Sequence, residues 1–135
     1  MKKLVCMILS MLLIVLLCAC DNQNTESKVF NQEVTIVKMP SPPKCKTSSS
    51  VSVVNEVLAT LAQIDKSPIN KINGYTNGWE IMIKLNIDGQ EFNYTIGGVF
   101  TDSDGTQYNT ENLAEIREKI NSIYDKIDTP EANYP

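Results

Sequence analysis

The stretch from Trp79 to Ile96 places the strongest constraint on the fold. Apolar residues occupy every second position from Trp79 to Ile87, with Met82 as the only apolar residue between them, and apolar and polar residues alternate again from 91 to 96. This is the period of a strand with one buried face. Asp88-Gly89 separates the two runs and favours a two-residue type I′ hairpin turn. Such a turn fixes the register and brings apolar residues together on one face. The predicted pairs are Leu85–Phe92, Ile83–Tyr94 and Ile81–Ile96.

Two other segments carry the 3.6-residue period of a helix with one apolar stripe. The first follows Ser52, its predicted N-cap, and ends before Pro68. The second runs from about Glu111 to Lys126, with Asn109 or Thr110 as its cap. The stripe of the first helix is Val54, Val57, Leu58, Leu61 and Ile64, and that of the second is Leu113, Ile116, Ile120, Ile123 and Ile127.

The remaining segments are shorter or carry weaker patterns. Residues 29–39 contain a strand with Val34 and Ile36 on one face, and the proline-rich stretch 40–50 is predicted to be a loop. Asn73-Gly74 and Asn77-Gly78 favour turns. Gly97-Gly98 permits a bend before short strands at 99–100 and 107–108, and the tail 128–135 is predicted to be loose.

The order of these elements predicts an α+β domain over residues 29–127. Each predicted strand and each predicted helix has a single apolar side, so each must bury that side against another layer. We therefore expect two layers, with an antiparallel sheet and two helices packed on one face. About 100 residues are sufficient for one modest hydrophobic core.

The N-terminus has the form of an export signal. Lys2 and Lys3 precede a nearly continuous apolar run from Leu4 to Leu17. This run suits a signal peptide, whereas a membrane-spanning helix needs about 20 apolar residues. The next residues, Leu17-Cys18-Ala19-Cys20, resemble the lipobox of bacterial lipoproteins: an aliphatic residue, a variable one, a small one and then cysteine.

The resemblance implies that Cys20 is the lipidated residue and that the signal peptide, 1–19, is removed. Residues 20–28 would then be a lipid-anchored flexible tether on the extracytoplasmic face of the cell membrane. Two acyl chains, such as palmitate, make a stable anchor. Asp21 resembles the inner-membrane retention signal of bacteria with two membranes. Behind the lipobox, the domain resembles the small lipoproteins of Gram-positive bacteria.

Composition excludes several classes of function. The whole chain has a net charge of −4, and loss of Lys2 and Lys3 would leave ten basic and sixteen acidic side chains. An acidic protein of this kind is not expected to bind nucleic acid. The chain contains no histidine, which excludes histidine-dependent catalytic triads and histidine metal ligands.

The segment 101–111 partly matches the calcium-binding loop of an EF-hand. With Gly105 at loop position six, Asp102, Asp104 and Glu111 occupy positions three, five and twelve. Position one is Phe100, which has no side-chain oxygen, and the preceding sequence is strand-like rather than helical. We interpret the segment as an exposed turn and retain the three carboxylates as weak metal candidates.

Other chemical motifs are weaker. Ser41 and Lys44 match the spacing of penicillin-binding enzymes, but two prolines separate them and no helix is expected there. Cys45 lies between two lysines, which favour a thiolate, yet the chain lacks a histidine base to make it a nucleophile. Four aromatic residues could line a ligand groove: Tyr75, Trp79, Tyr94 and Tyr108. Of these, Trp79 and Tyr94 are expected in the core, and Tyr75 is expected to be exposed.

We therefore expect no catalytic residues and no cofactor. The expected function is that of a membrane-anchored binding or interaction module, with another envelope protein as its partner. The alternative is a small-ligand or weak calcium-binding protein.

Overall fold

Seven strands of the described residues form one antiparallel sheet, and two helices cover one of its faces. The computed structural model describes residues 31–39, 41–74, 76 and 78–135. The predicted signal peptide, Cys20, the whole predicted tether and Tyr75 lie outside the described residues. The predicted α+β class, with two layers and the helices on one face, is confirmed.

The elements are numbered here in chain order. The strands are β1 (Gln32–Lys38), β2 (Lys44–Ser48), β3 (Ile81–Ile87), β4 (Gln90–Ile96), β5 (Phe100–Thr101), β6 (Gln107–Tyr108) and β7 (Ala132–Asn133). The helices are α1 (Val51–Leu61) and α2 (Leu113–Lys126), and a 3₁₀ turn covers Pro68–Asn70. The strand order across the sheet is β6-β5-β4-β3-β1-β2-β7.

The hairpin of β3 and β4 lies inside the sheet and has the predicted register. Leu85 pairs with Phe92, and the other two predicted apolar pairs also form. Asp88 and Gly89 have φ values of 53° and 83°, the positive angles that a type I′ turn requires. β1 then pairs with β3 along its full length, so the hairpin becomes part of a larger sheet.

The hydrophobic core lies between the sheet and the helices. The predicted stripes face it from both layers, and most of their residues are buried. The fully buried members include Val34, Ile36, Ile83, Leu85 and Ile96 from the sheet, and Val54, Val57, Ile116, Ile120 and Ile123 from the helices. Among the described residues, no helix is long and apolar enough to cross a bilayer.

The prediction of a loop over 40–50 is wrong for Lys44–Ser48, which form β2. This strand pairs with β1 from Ser48, opposite Val34, to Lys44, opposite Lys38. All five of its side chains are partly exposed, so it lacks the apolar alternation that identifies a strand in sequence. Its pairing with β1, rather than its own burial, stabilises it as a strand.

The helix boundaries also differ from the prediction. The N-cap of α1 is Ser50 rather than Ser52, and that of α2 is Asn112 rather than Asn109 or Thr110. A turn occupies the two residues before α2 and delays the helix, with Leu113 N donating to Thr110 O. Helix α1 ends at Leu61, although Ile64 beyond it is still buried in the core.

The last differences concern short strands. β6 lies where it was predicted, but β5 is Phe100–Thr101 rather than 99–100. The tail, predicted to be loose, differs most, because Ala132–Asn133 form β7 against the outer edge of β2.

Candidate functional site on the open face of the sheet

The face of the sheet opposite the helices, called here the open face, consists of the alternate residues of each strand. Strand register arranges them in three rows. The first row is Glu33, Asn86 and Glu91, and the second is Thr47, Thr35, Lys84 and Asn93. The third row crosses all seven strands as Ala132, Cys45, Val37, Met82, Thr95, Thr101 and Gln107.

The first two rows are polar. The Thr35 and Thr47 hydroxyls are 2.8 Å apart, and Asn93 Nδ2 donates to Glu91 Oε1 at 3.0 Å. A shallow cavity of about 120 Å³ lies between Glu33 and Lys84 in these rows. Ligand pockets for small molecules usually measure about 300–1,000 Å³. The geometry of these rows therefore suits contact with another surface better than enclosure of a small molecule.

The third row contains an apolar patch. Val37 has 0% of its surface exposed, although it lies on the open face and outside the core cluster under the helices. Its cross-strand neighbours are Cys45 and Met82, both partly buried. An apolar residue on the uncovered side of a sheet must be buried by something other than the helices.

The C-terminal residues 128–135, called here the strap, run along the edge of β2. Thr129 Oγ1 donates to Thr47 O at 2.8 Å, and Tyr134 N donates to Pro43 O at 2.9 Å. Lys44 Nζ donates to the Asn133 side chain at 2.6 Å. Together with the β7 pairing, these bonds fasten the strap to both ends of β2.

Tyr134 extends the strap onto the open face. The Nζ atom of Lys84 lies 5.1 Å from the centre of the Tyr134 ring, within cation–π range. Hydrogen bonding to the Tyr134 side chain raises the pKa of Lys84 above its usual value. Lys84 is on β3, and β2 and β1 separate this strand from β7. The contact between the Lys84 and Tyr134 side chains therefore bridges β1 and β2, the strands that carry Val37 and Cys45.

Tyr124 fastens the middle of the strap to α2. Its side chain is only 3% exposed, and its hydroxyl donates to Glu131 Oε2 at 2.8 Å. Burial, reinforced by the Glu131 carboxylate, raises the pKa of Tyr124 well above its usual value. Lys38 Nζ and Lys46 Nζ lie 4.5 Å and 5.2 Å from the centre of its ring.

At the opposite edge of the sheet, the open face is bordered by the loop that contains Ile72 and Thr76, between α1 and β3. Gln107 holds this loop in place. Gln107 is 5% exposed, and its Oε1 accepts bonds from the N and Oγ1 atoms of Thr76. Its Nε2 donates to Thr76 O and to Thr101 Oγ1. A backbone bond from Ile72 N to Gln107 O continues the attachment. One buried amide therefore fixes the loop against β5 and β6.

The weak metal candidates do not come together. Asp102 forms an ion pair with Lys66 at 2.6 Å, and Asp104 Oδ1 accepts a bond from Thr106 N. That backbone bond lowers the pKa of Asp104. Glu111 lies elsewhere, in a polar groove with Asp65. In the part of the chain that the structure describes, no three acidic or cysteine side chains form a group able to hold a metal ion.

Most of the other candidate residues from the sequence lie in strands, bond to the strap or pack against the core. Lys44 of the Ser41–Lys44 motif is in β2 and bonds to the strap. Cys45 is partly exposed and lies opposite Ala132. Tyr94 and Tyr108 pack against the core, and Tyr94 stacks on Phe100 at a ring distance of 6.2 Å. The expectation of Trp79 in the core is wrong, because this residue is only partly buried, precedes β3 and lies outside the core cluster.

Comparison with protein-family models, with curated proteins and with solved structures found no match to this chain.

Proposed function

We propose that this protein is a lipid-anchored extracytoplasmic module that binds an envelope protein through the open face of its sheet. The observation that carries the proposal is the contrast between the two faces. One face is covered by both helices, while the other presents threonine, asparagine, lysine and glutamate side chains on four strands, beside the partly exposed side chains of Cys45 and Met82. Mixed polar and apolar surfaces of this kind are typical of non-obligate interfaces.

The entry point of the chain supports membrane-proximal binding. Asn31 N donates to Asp88 Oδ1 at 3.2 Å, and Asp88 N donates to Asn31 O at 2.9 Å. The chain therefore enters the sheet beside the turn of the β3–β4 hairpin. Ten residues lie between Cys20 and Asn31, and the eleven Cα–Cα steps of a fully extended chain reach at most about 40 Å. A lipid on Cys20 would keep the open face within reach of proteins at the same membrane.

Anchoring is tested first. Mass spectrometry of the membrane-extracted protein should find an N-terminal Cys20 that carries a diacylglyceryl group, and Cys20→Ala should release the domain from the membrane fraction. An unmodified N-terminus at another residue would contradict the proposed anchor.

Binding is tested by photo-crosslinking in intact cells. A photoreactive amino acid at Asn93, on the open face, should crosslink to one dominant envelope protein. The matched control replaces Glu118, which is exposed on α2 in the opposite layer. Equal crosslinking from residue 118, or none from residue 93, would contradict binding through the open face. In the Cys20→Ala form the crosslink should be lost.

A further inference from the structure

We infer that the strap occupies a docking site for an extended segment of the partner and must leave before that segment binds. This inference rests on the proposed function and adds a ligand class and a regulatory step. The site combines the outer edge of β2, the apolar patch of Val37, and two side chains that hold the strap, Lys84 and Tyr124.

The edge of β2 is only partly used by the strap. β7 pairs with Lys44 and Cys45, whereas β2 continues to Ser48. The Pro43 and Thr47 carbonyl oxygens both accept bonds from the strap, so this row of backbone groups points away from β1. An extended peptide that followed the whole strand could form a longer ladder than β7 does. Exposed strand edges commonly bind peptides in this way.

The strap can leave without opening the core. Ile127, directly before it, is 3% exposed and anchors the end of α2. All residues from 128 to 133 are exposed, and β7 has only two residues. Segments with few buried contacts open with a small fraction of the global free energy of unfolding. Detachment from Asp128 onward would therefore leave both helices and six strands in place.

Detachment would uncover a specific set of groups. The Tyr124 hydroxyl would lose its carboxylate partner, Lys84 would lose the aromatic ring, and the side-chain contact that bridges the strands of Val37 and Cys45 would be lost. The groups that the strap contacts therefore indicate the chemistry of the partner segment that would replace it. The docking segment is extended and carries an acidic side chain, followed three residues later by an aromatic one, as Glu131 and Tyr134 do.

The test uses residues 20–135 with Cys20→Ala, a chain that contains every described element and has Cys45 as its only thiol. The probe is a fluorescent peptide with the sequence of residues 128–135, and the control peptide has alanine in place of its glutamate and tyrosine. Tyr134→Ala in the protein weakens the strap, and Glu131→Ala is a second variant with the same purpose. Ala132→Cys places a thiol directly opposite Cys45, where a disulfide would lock the strap.

The Tyr134→Ala and Glu131→Ala variants should bind the probe about tenfold more tightly than the protein with the unmodified strap does, because a larger fraction of each variant has the strap detached. The oxidised Ala132→Cys protein should not bind it, and reduction should restore binding. Equal binding by the oxidised and reduced forms, or no binding by either weakened variant, would overturn the inference. A dimer whose disulfide joins position 132 of one copy to Cys45 of another would overturn the partner assignment, since the occupant would then be the strap of a second copy.

The two proposals fail separately. If the probe does not bind but residue 93 still crosslinks in cells, only the strap mechanism is wrong. If the probe binds but residue 93 gives no crosslink, the docking site exists and the proposed envelope function is wrong.

Discussion

Gly97 lies so close to Gly78 that a Cβ atom at residue 97 would be 2.5 Å from the Gly78 carbonyl oxygen. The contact joins the turn after β4 to the segment that enters β3. Arg117 from α2 reinforces it, since its Nη2 donates to Gly97 O at 2.6 Å and its Nε lies 3.1 Å from Glu80 Oε2. Three parts of the chain therefore meet at a position where only glycine fits.

Gly97→Ala should destabilise the fold by about 1–3 kcal/mol, the usual cost of overpacking, because backbone must move to admit the methyl group. The matched control is Gly98→Ala, since a Cβ there would meet nothing within 4 Å. Denaturant unfolding of the two variants measures the difference. Equal stability of both variants would contradict the close approach.

Gln107→Ala should destabilise the protein by about 1–3 kcal/mol. The substitution removes the buried side-chain amide and leaves its hydrogen-bond partners on Thr76 and Thr101 unsatisfied. Hydrogen exchange should accelerate at the amide of Thr76 as the loop detaches. Gln90→Ala, an exposed glutamine in β4, serves as the control and should change stability little. Unchanged exchange at Thr76 in the Gln107 variant would mean that other contacts hold the loop.

The free energy of unfolding should fall at alkaline pH, and ionisation of Tyr124 should account for part of this decrease. Its pKa is raised in the folded state, so the folded protein retains a proton that the unfolded tyrosine releases above about pH 10. The stabilisation is therefore complete below that pH and is lost as the pH rises further. The stability difference between the wild type and Tyr124→Phe should narrow from pH 9 to pH 11. A constant difference across this range would refute the assignment.

The hairpin was predictable because two local signals agreed. The Asp88-Gly89 turn and the alternating strands specify the same register, so the facing pairs of the open face, such as Lys84 with Asn93, follow from the same pattern. The helical stripes were predictable for a similar reason. Each depends on residues within a few positions of one another, and burial of Ile116 and Ile120 follows from that period.

The edge of the sheet was not predictable, because distant contacts determine it. β2 has no apolar alternation of its own, and β7 lies in a tail without any period. The Tyr124–Glu131 and Lys84–Tyr134 contacts depend on the positions of α2 and β3 relative to the C-terminal residues in the folded protein. The alternation of residues in β3 predicts that Lys84 lies on the polar face of the strand, but it gives no information on the Tyr134 ring that lies against it.

Native-state hydrogen exchange tests most directly whether the strap opens while the domain stays folded. The amide of Tyr134, bonded to Pro43 O, should exchange at least about 100-fold faster than the amides of Ile83 and Leu85 in β3, with little dependence on denaturant. That result would establish local opening of the strap. Equal protection of all three amides, with the same steep denaturant dependence, would make the strap part of the cooperative core and contradict its role as a displaceable occupant.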